Sequence, residues 1–192
     1  MNILILGPQG SGKGTQAQRI AAEFGIPHIA TGDMLREAIA AETELGLRVK
    51  PIYDAGRLVP DELMIGLIRE RSDQPDVENG FVLDGFPRTM AQAEALDEML
   101  REIDHSIDIV IQLNVPEDVC VDRLLKRAAE QGRVDDTPEA IRTRLDLYRR
   151  ETEPVVEHYR ALGNLVVVHG DRSVDEVFEE IQQALEQAAV RQ

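Results

Sequence analysis

A chain of 192 residues, 43% hydrophobic and 30% charged, can bury the core of one globular domain and has no apolar run long enough to span a membrane. Its formal net charge of −15 disfavours nucleic acid and anionic membrane as partners, and its single cysteine excludes an internal disulfide. The chain enters an apolar strand at once, leaving no room for a secretory leader, so a cytoplasmic protein is expected.

That strand, Ile3-Leu4-Ile5-Leu6, runs into Gly7-Pro8-Gln9-Gly10-Ser11-Gly12-Lys13-Gly14-Thr15 and then a helix through Ala17, Ile20 and Phe24. Gly7, four residues, Gly12 and Lys13 fit the phosphate-binding loop pattern, except that Gly14 stands where a hydroxyl residue usually follows the lysine and the hydroxyl comes at Thr15. Glycines let backbone N–H groups close on phosphate oxygens, the helix start adds its unpaired donors, and Lys13 brings a mobile charge.

Residues 26–30 read as a second strand, with Thr31-Gly32-Asp33 placed to cap a helix over 34–41. Gly46 and Pro51 punctuate a further short helix, and the loop from Gly56 to Asp61 enters another, with Leu63, Leu67 and Ile68 on one face. Residues 80–84 form a buried strand ending in Asp84. Thr89 caps the helix along Ala93, Leu96 and Leu100, and 109–115 is the clearest strand. Pro116 opens a helix that carries Val119, Cys120 and Leu124 to Ala128, which makes Cys120 a buried thiol. A polar loop over 129–138 precedes a long helix from 139 to about 162, which Pro154 should kink or divide. Residues 165–169 are the fifth strand, and Ser173 caps the final helix through Val177, Ile181 and Leu185.

Five solid apolar strands alternating with helices predict an α/β fold with a parallel sheet covered on both faces. Ligands of such sheets sit at the carboxyl ends of the strands. The loop at Gly7, the triplet at Thr31, and Asp84-Gly85-Phe86-Pro87-Arg88 all fall there. Asp84 suits Mg²⁺, which takes hard oxygen ligands and keeps several waters. Lysine is limited to Lys13, Lys50 and Lys126, so Arg36, Arg88, Arg123, Arg127, Arg133 and Arg144 are the candidates to gather positive charge in one cleft. For Arg123 and Arg127 a solvated helix face stays open as an alternative reading.

The sequence resembles the adenylate kinases of the nucleoside monophosphate kinase family over essentially its whole length. The phosphate loop with its displaced Thr15, Thr31-Gly32-Asp33-Met34-Leu35-Arg36, Leu58-Val59-Pro60-Asp61, Asp84-Gly85-Phe86-Pro87-Arg88 and Gly132-Arg133-Val134-Asp135-Asp136 match in order and approximate spacing. The resemblance implies a three-layer P-loop fold with a monophosphate-binding insert at about 30–59 and a short lid at about 127–137. It implies reversible, Mg²⁺-dependent transfer between ATP and AMP to give ADP, by a monomer, with no nucleic-acid or membrane partner. The short lid and lone cysteine argue against structural zinc.

By the same resemblance Gly10, Ser11, Gly12, Lys13, Gly14 and Thr15 hold the ATP phosphates, with Arg127 and the backbone near Arg172 also on ATP. Thr31, Gly32, Arg36, the segment Arg57-Leu58-Val59, the run Gly85-Phe86-Pro87-Arg88 and Gln92 form the AMP side. Arg133 and Arg144 reach across from the lid, and Arg123 meets the moving phosphoryl group. Two alternatives stay open: a UMP/CMP kinase, which tends to carry Ala and Asn in place of Thr31 and Gln92, and a non-catalytic nucleotide switch. Against the switch, no Asn-Lys-x-Asp guanine-reading motif is present.

Overall fold

The computed structural model describes residues 1–132 and 136–190, so Arg133, Val134 and Asp135 lie outside the described residues. Five strands, β1 (Asn2–Leu6), β2 (His28–Ala30), β3 (Phe81–Asp84), β4 (Ile109–Asn114) and β5 (Leu165–His169), form one parallel sheet in the order β2-β3-β1-β4-β5. The predicted α/β class and five-stranded parallel sheet are therefore observed.

Alternation along each strand divides the core. Ile3 and Ile5 face one side with Val82, Ile109 and Ile111, where α1 (Lys13–Phe24) and α9 (Val174–Ala189) supply Ile20, Val177, Ile181 and Leu185. Leu4 and Leu6 face the other with Leu83 and Val110. There α5 (Met90–Arg101) and α8 (Glu153–Leu162) bring Leu96, Leu100, Val155 and Tyr159. Register then fixes the functional edge. Asp84 stands opposite both Ile5 and Ala30, so the segments beginning at Gly7, Thr31 and Gly85 leave the sheet side by side.

Several boundaries differ from expectation. Thr31-Gly32-Asp33 does not cap a later helix, because α2 (Thr31–Ala40) starts at Thr31 itself. The Thr31 hydroxyl instead donates to the Asp84 carbonyl at 3.2 Å, tying the helix start to the neighbouring strand end. Gly46 and Pro51 lie inside α3 (Glu44–Asp54), which Thr43 caps by accepting from the Gly46 N–H at 3.0 Å. At Gly46 the two helices pass so closely that a Cβ would stand 2.0 Å from the Ala38 carbonyl oxygen. The next two helices are α4 (Asp61–Ser72) and, beyond β4, α6 (Glu117–Gln131), which continues past the expected end at Ala128.

The long helix foreseen from 139 to 162 is divided, as Pro154 suggested, but the break is more elaborate. α7 (Pro138–Leu147) passes into a π-helical turn, Tyr148–Thr152, before α8 resumes with Pro154 in its first turn, where a missing N–H costs nothing. Thr89 and Ser173 cap α5 and α9 as expected, Ser173 through a full capping box with Glu176. Cys120 is buried.

Candidate active site

A cavity of about 630 Å³ opens at the carboxyl ends of the strands, and most of the chemistry-bearing residues singled out from the sequence line it. On one side stands the glycine loop. Gly10 has φ +84°, and a Cβ there would sit 2.5 Å from the Cys120 carbonyl oxygen, so only glycine lets the loop pass over α6. Gly10, Gly12, Lys13, Gly14 and Thr15 line the cavity. Ser11 is buried beneath it, with its carbonyl accepting from Arg123 Nη1 at 3.4 Å.

Lys13 Nζ donates to the carbonyl oxygens of Gly7 and Pro8 at 2.7 and 2.8 Å. Burial pulls its pKa down to about 8. Asp84 opposes that shift, while Arg88 and Arg127 add to it. The ammonium is thus held over the loop by neutral acceptors that an anion can outbid.

The opposite side is built by α2, the loop before α4 and the β3–α5 connection. Thr31, Gly32, Arg36, Leu58, Val59, Gly85, Pro87 and Gln92 line it, as does the exposed Arg57. Phe86 departs from the expected set. Its bond to the following Pro87 is cis, and its side chain is fully buried in the core, so it anchors the segment instead of lining the cavity.

Arg88 is fixed from three directions. Its Nε donates to the Gly85 carbonyl at 2.7 Å, its N–H donates to Gln92 Oε1 at 2.8 Å, and its carbonyl accepts from the Thr152 hydroxyl at 2.9 Å. Burial works against its charge and Asp84 supports it; a guanidinium stays protonated all the same. Arg36 donates to the Tyr53 hydroxyl at 2.6 Å and pairs with Asp33.

Arg123, Arg127 and Arg144 come from α6 and α7 and reach the same cavity, so the solvated-face reading does not hold for the first two. Asp136, whose side chain has no solvent exposure, accepts from Arg127 Nη2 at 2.6 Å and from Arg144 Nη1 at 2.7 Å. Arg144 also donates to the Tyr53 carbonyl at 3.3 Å and lies over that ring, 5.5 Å from its centroid. Arg172 stays away from the cavity. Its side chain folds onto the His169 carbonyl and Glu180.

Sequence reasoning gave no role to Tyr53, Asp61, Asp136, Thr152 or His28. Asp61 and Asp136 stood inside quoted motifs; only folding brings in their partners. His28 lines the cavity with Nε2 3.8 Å from Asp84 Oδ2. Asp84 itself ends β3, partly exposed, with Oδ2 3.6 Å from where a Cβ of Gly14 would stand. One hard carboxylate facing a phosphate loop fits a hydrated Mg²⁺ that draws its other ligands from water and phosphate.

A family model described as adenylate kinase matches residues 5–164. The chain is 51% identical over 177 residues to an adenylate kinase of Stenotrophomonas maltophilia, covering 92% of this chain and 95% of the relative. It is 49% identical over 195 positions to one of Xanthobacter autotrophicus, covering 98% and 100%. With an adenylate kinase of Archaeoglobus fulgidus it shares 46% over 213 aligned positions, covering 97% and 98%. A phosphate loop, a strand-end carboxylate and a ring of arginines around one cavity fit what those matches say: the chain belongs to the adenylate kinase family.

Proposed function

We propose that this adenylate kinase transfers the terminal phosphoryl group of ATP to AMP, reversibly, with ATP on the Gly10–Thr15 side and AMP on the Arg36, Arg88 and Gln92 side. The observation that carries this reading is a single cavity with two cationic walls, Lys13 on one and Arg36 and Arg88 on the other, with Arg123 and Arg144 among its further lining residues. A protein that only held one nucleotide would need one such wall.

The nucleophile is an AMP phosphate oxygen, already anionic at neutral pH, so no side chain has to remove a proton. Catalysis then rests on alignment and on neutralising the charge of the moving group. Lys13 shifts from its loop carbonyls to the outer phosphates of ATP. Arg88, braced by Gly85, Gln92 and Thr152, holds the AMP phosphate in line. Arg123, Arg127 and Arg144 neutralise charge from the α6–α7 side, and Arg133 belongs to the same segment. Asp84 would hold Mg²⁺ through water, and the ion would supply positive charge that neutralises the phosphates.

The segment 30–59, which carries α2 and α3, acts as a monophosphate-binding insert, and 127–137 as a short lid; together they would exclude water. No zinc role is assigned, and the functional unit is taken to be a cytoplasmic monomer. Among the described residues no helix is long and apolar enough to cross a membrane.

The reading is tested by measuring product formation from Mg·ATP with AMP, UMP and CMP in turn. ADP should form from ATP only when AMP is present, in a 2:1 ratio to AMP consumed, and EDTA should abolish it. Preference for UMP or CMP, or ATP hydrolysis indifferent to AMP, would contradict it.

A further inference from the structure

We propose that Asp61 fixes the donor–acceptor sense in which Gln92 meets a base, and so makes the monophosphate side prefer a 6-amino purine to a 6-oxo purine. This rests on the reading of Gln92 as a residue of the AMP side. Gln92 is almost fully buried yet lines the cavity, and both ends of its amide are engaged. Oε1 accepts from the Arg88 N–H at 2.8 Å, while Nε2 donates to Asp61 Oδ1 at 2.8 Å. The same Asp61 oxygen accepts from the Thr89 hydroxyl at 3.0 Å, and the Thr89 oxygen in turn accepts from the Gln92 backbone N–H at 3.3 Å. Asp61, Thr89 and Gln92 therefore close a ring of hydrogen bonds joining the first residue of α4 to the first turn of α5.

The partners leave only one way round for the amide. A carboxylate accepts and never donates, and a backbone N–H donates and never accepts. Turned over, Gln92 would set its NH₂ against the Arg88 N–H and its carbonyl against the Asp61 carboxylate, two repulsions in place of two hydrogen bonds. A primary amide has two N–H donors and two lone pairs, so one of each remains for a ligand in the cavity. Adenine presents a ring-nitrogen acceptor beside an amino donor. Hypoxanthine presents an N–H donor beside a carbonyl acceptor in the same two places. An amide of fixed sense pairs with the first edge; the turned amide pairs with the second. A site whose polar groups face the wrong edge rejects it, because those groups are left unpaired. Asp61 is thus a positioning residue that acts through Gln92 and need not touch the nucleotide.

The test is kcat/KM for AMP and for inosine monophosphate, with saturating Mg·ATP, in the wild type and in Asp61→Ala, Asp61→Asn and Gln92→Leu. If Asp61 orients the amide, Asp61→Ala should lose roughly tenfold of the AMP-over-IMP preference, the scale of one charge-assisted hydrogen bond. Asp61→Asn keeps an oxygen acceptor and should keep most of that preference. Gln92→Leu should raise the KM for AMP and collapse the preference. A tie that only joins α4 to α5 would change both substrates equally and leave the ratio alone. Should Asp61→Ala not fold, Asp61→Ser makes the same cut with a side chain suited to a helix start. An unchanged ratio in Asp61→Ala, beside a collapsed one in Gln92→Leu, would overturn the proposal while leaving the AMP-side reading standing. Equal losses in the Ala and Asn variants would overturn it too, pointing to charge instead of orientation. Unaltered AMP kinetics in Gln92→Leu would remove the base-reading role itself, and Asp61's with it.

Discussion

Lys13 carries a positive charge at a position whose burial disfavours it. With its pKa down to about 8, a growing share of free protein above pH 8 holds a neutral amine. Phosphate oxygens favour the ammonium, so with Lys13 at the ATP phosphates, as proposed, ATP should pull the pKa back up and take a proton from solution. Calorimetry of ATP binding at pH 9, in two buffers of different ionisation enthalpy, should show uptake of close to one proton, and Lys13→Met should abolish it. Buffer-independent heats in the wild type would contradict the placement of Lys13 at the phosphates. For folding the sign is opposite: the unfolded chain holds this proton more tightly, so Lys13 lets stability rise from about pH 8 towards 10.5. At this scale the sequence was legible wherever a residue's placement is local. Lys13, Asp84, Arg88 and the Thr89 cap all stand in short patterns. Asp136 and Tyr53 were not, because each acquires meaning from arginines that folding brings to it; Tyr53 and Arg144 are 91 residues apart.

Helix packing in the 30–59 segment turns on Gly46. Ala would ordinarily favour a helix interior by about 1 kcal/mol over Gly. Here its Cβ would lie 2.0 Å from the Ala38 carbonyl oxygen, a backbone atom that cannot swing away, so α3 must lift from α2. Overpacking of this kind costs about 1–3 kcal/mol and outweighs the propensity gain. Gly46→Ala should therefore lower the thermal midpoint by several degrees, on the order of 2–4 °C per kcal/mol for a chain of this size. It should also raise the KM for AMP while leaving ATP binding alone. A midpoint equal to or above the wild type would refute this packing account. The glycine was read from the sequence as punctuation, since a close approach between helices leaves no periodic trace. The π-helical turn at Tyr148–Thr152 escaped for the same reason. Pro154 announced a break; nothing local said that the Thr152 hydroxyl would brace Arg88 across 64 residues.

Over the whole molecule, an acidic protein gathers an excess of positive charge in one cavity. The formal charge is −15, yet the described lining of the cavity has seven cationic side chains against two carboxylates. That concentration draws in polyanionic nucleotides while the outer surface stays soluble, and its strength should fall as salt screens it. The two walls have separate supports. The phosphate loop hangs from β1 and α1, whereas Arg88 hangs from β3, α5 and the π-helical turn. Damage to one wall should therefore spare the other. On the proposed division, Arg88→Ala would remove a bidentate phosphate partner from the AMP wall, and kcat/KM for AMP should fall roughly 10³-fold or more. Arg88→Lys should recover only part of that, since an ammonium restores charge without the planar fork. The decisive measurement pairs these kinetics with calorimetry of ATP binding to Arg88→Ala. A deep loss with AMP beside unchanged ATP affinity is the predicted result; unchanged AMP kinetics, or an equal loss of ATP affinity, would contradict a cavity divided into an ATP wall and an AMP wall.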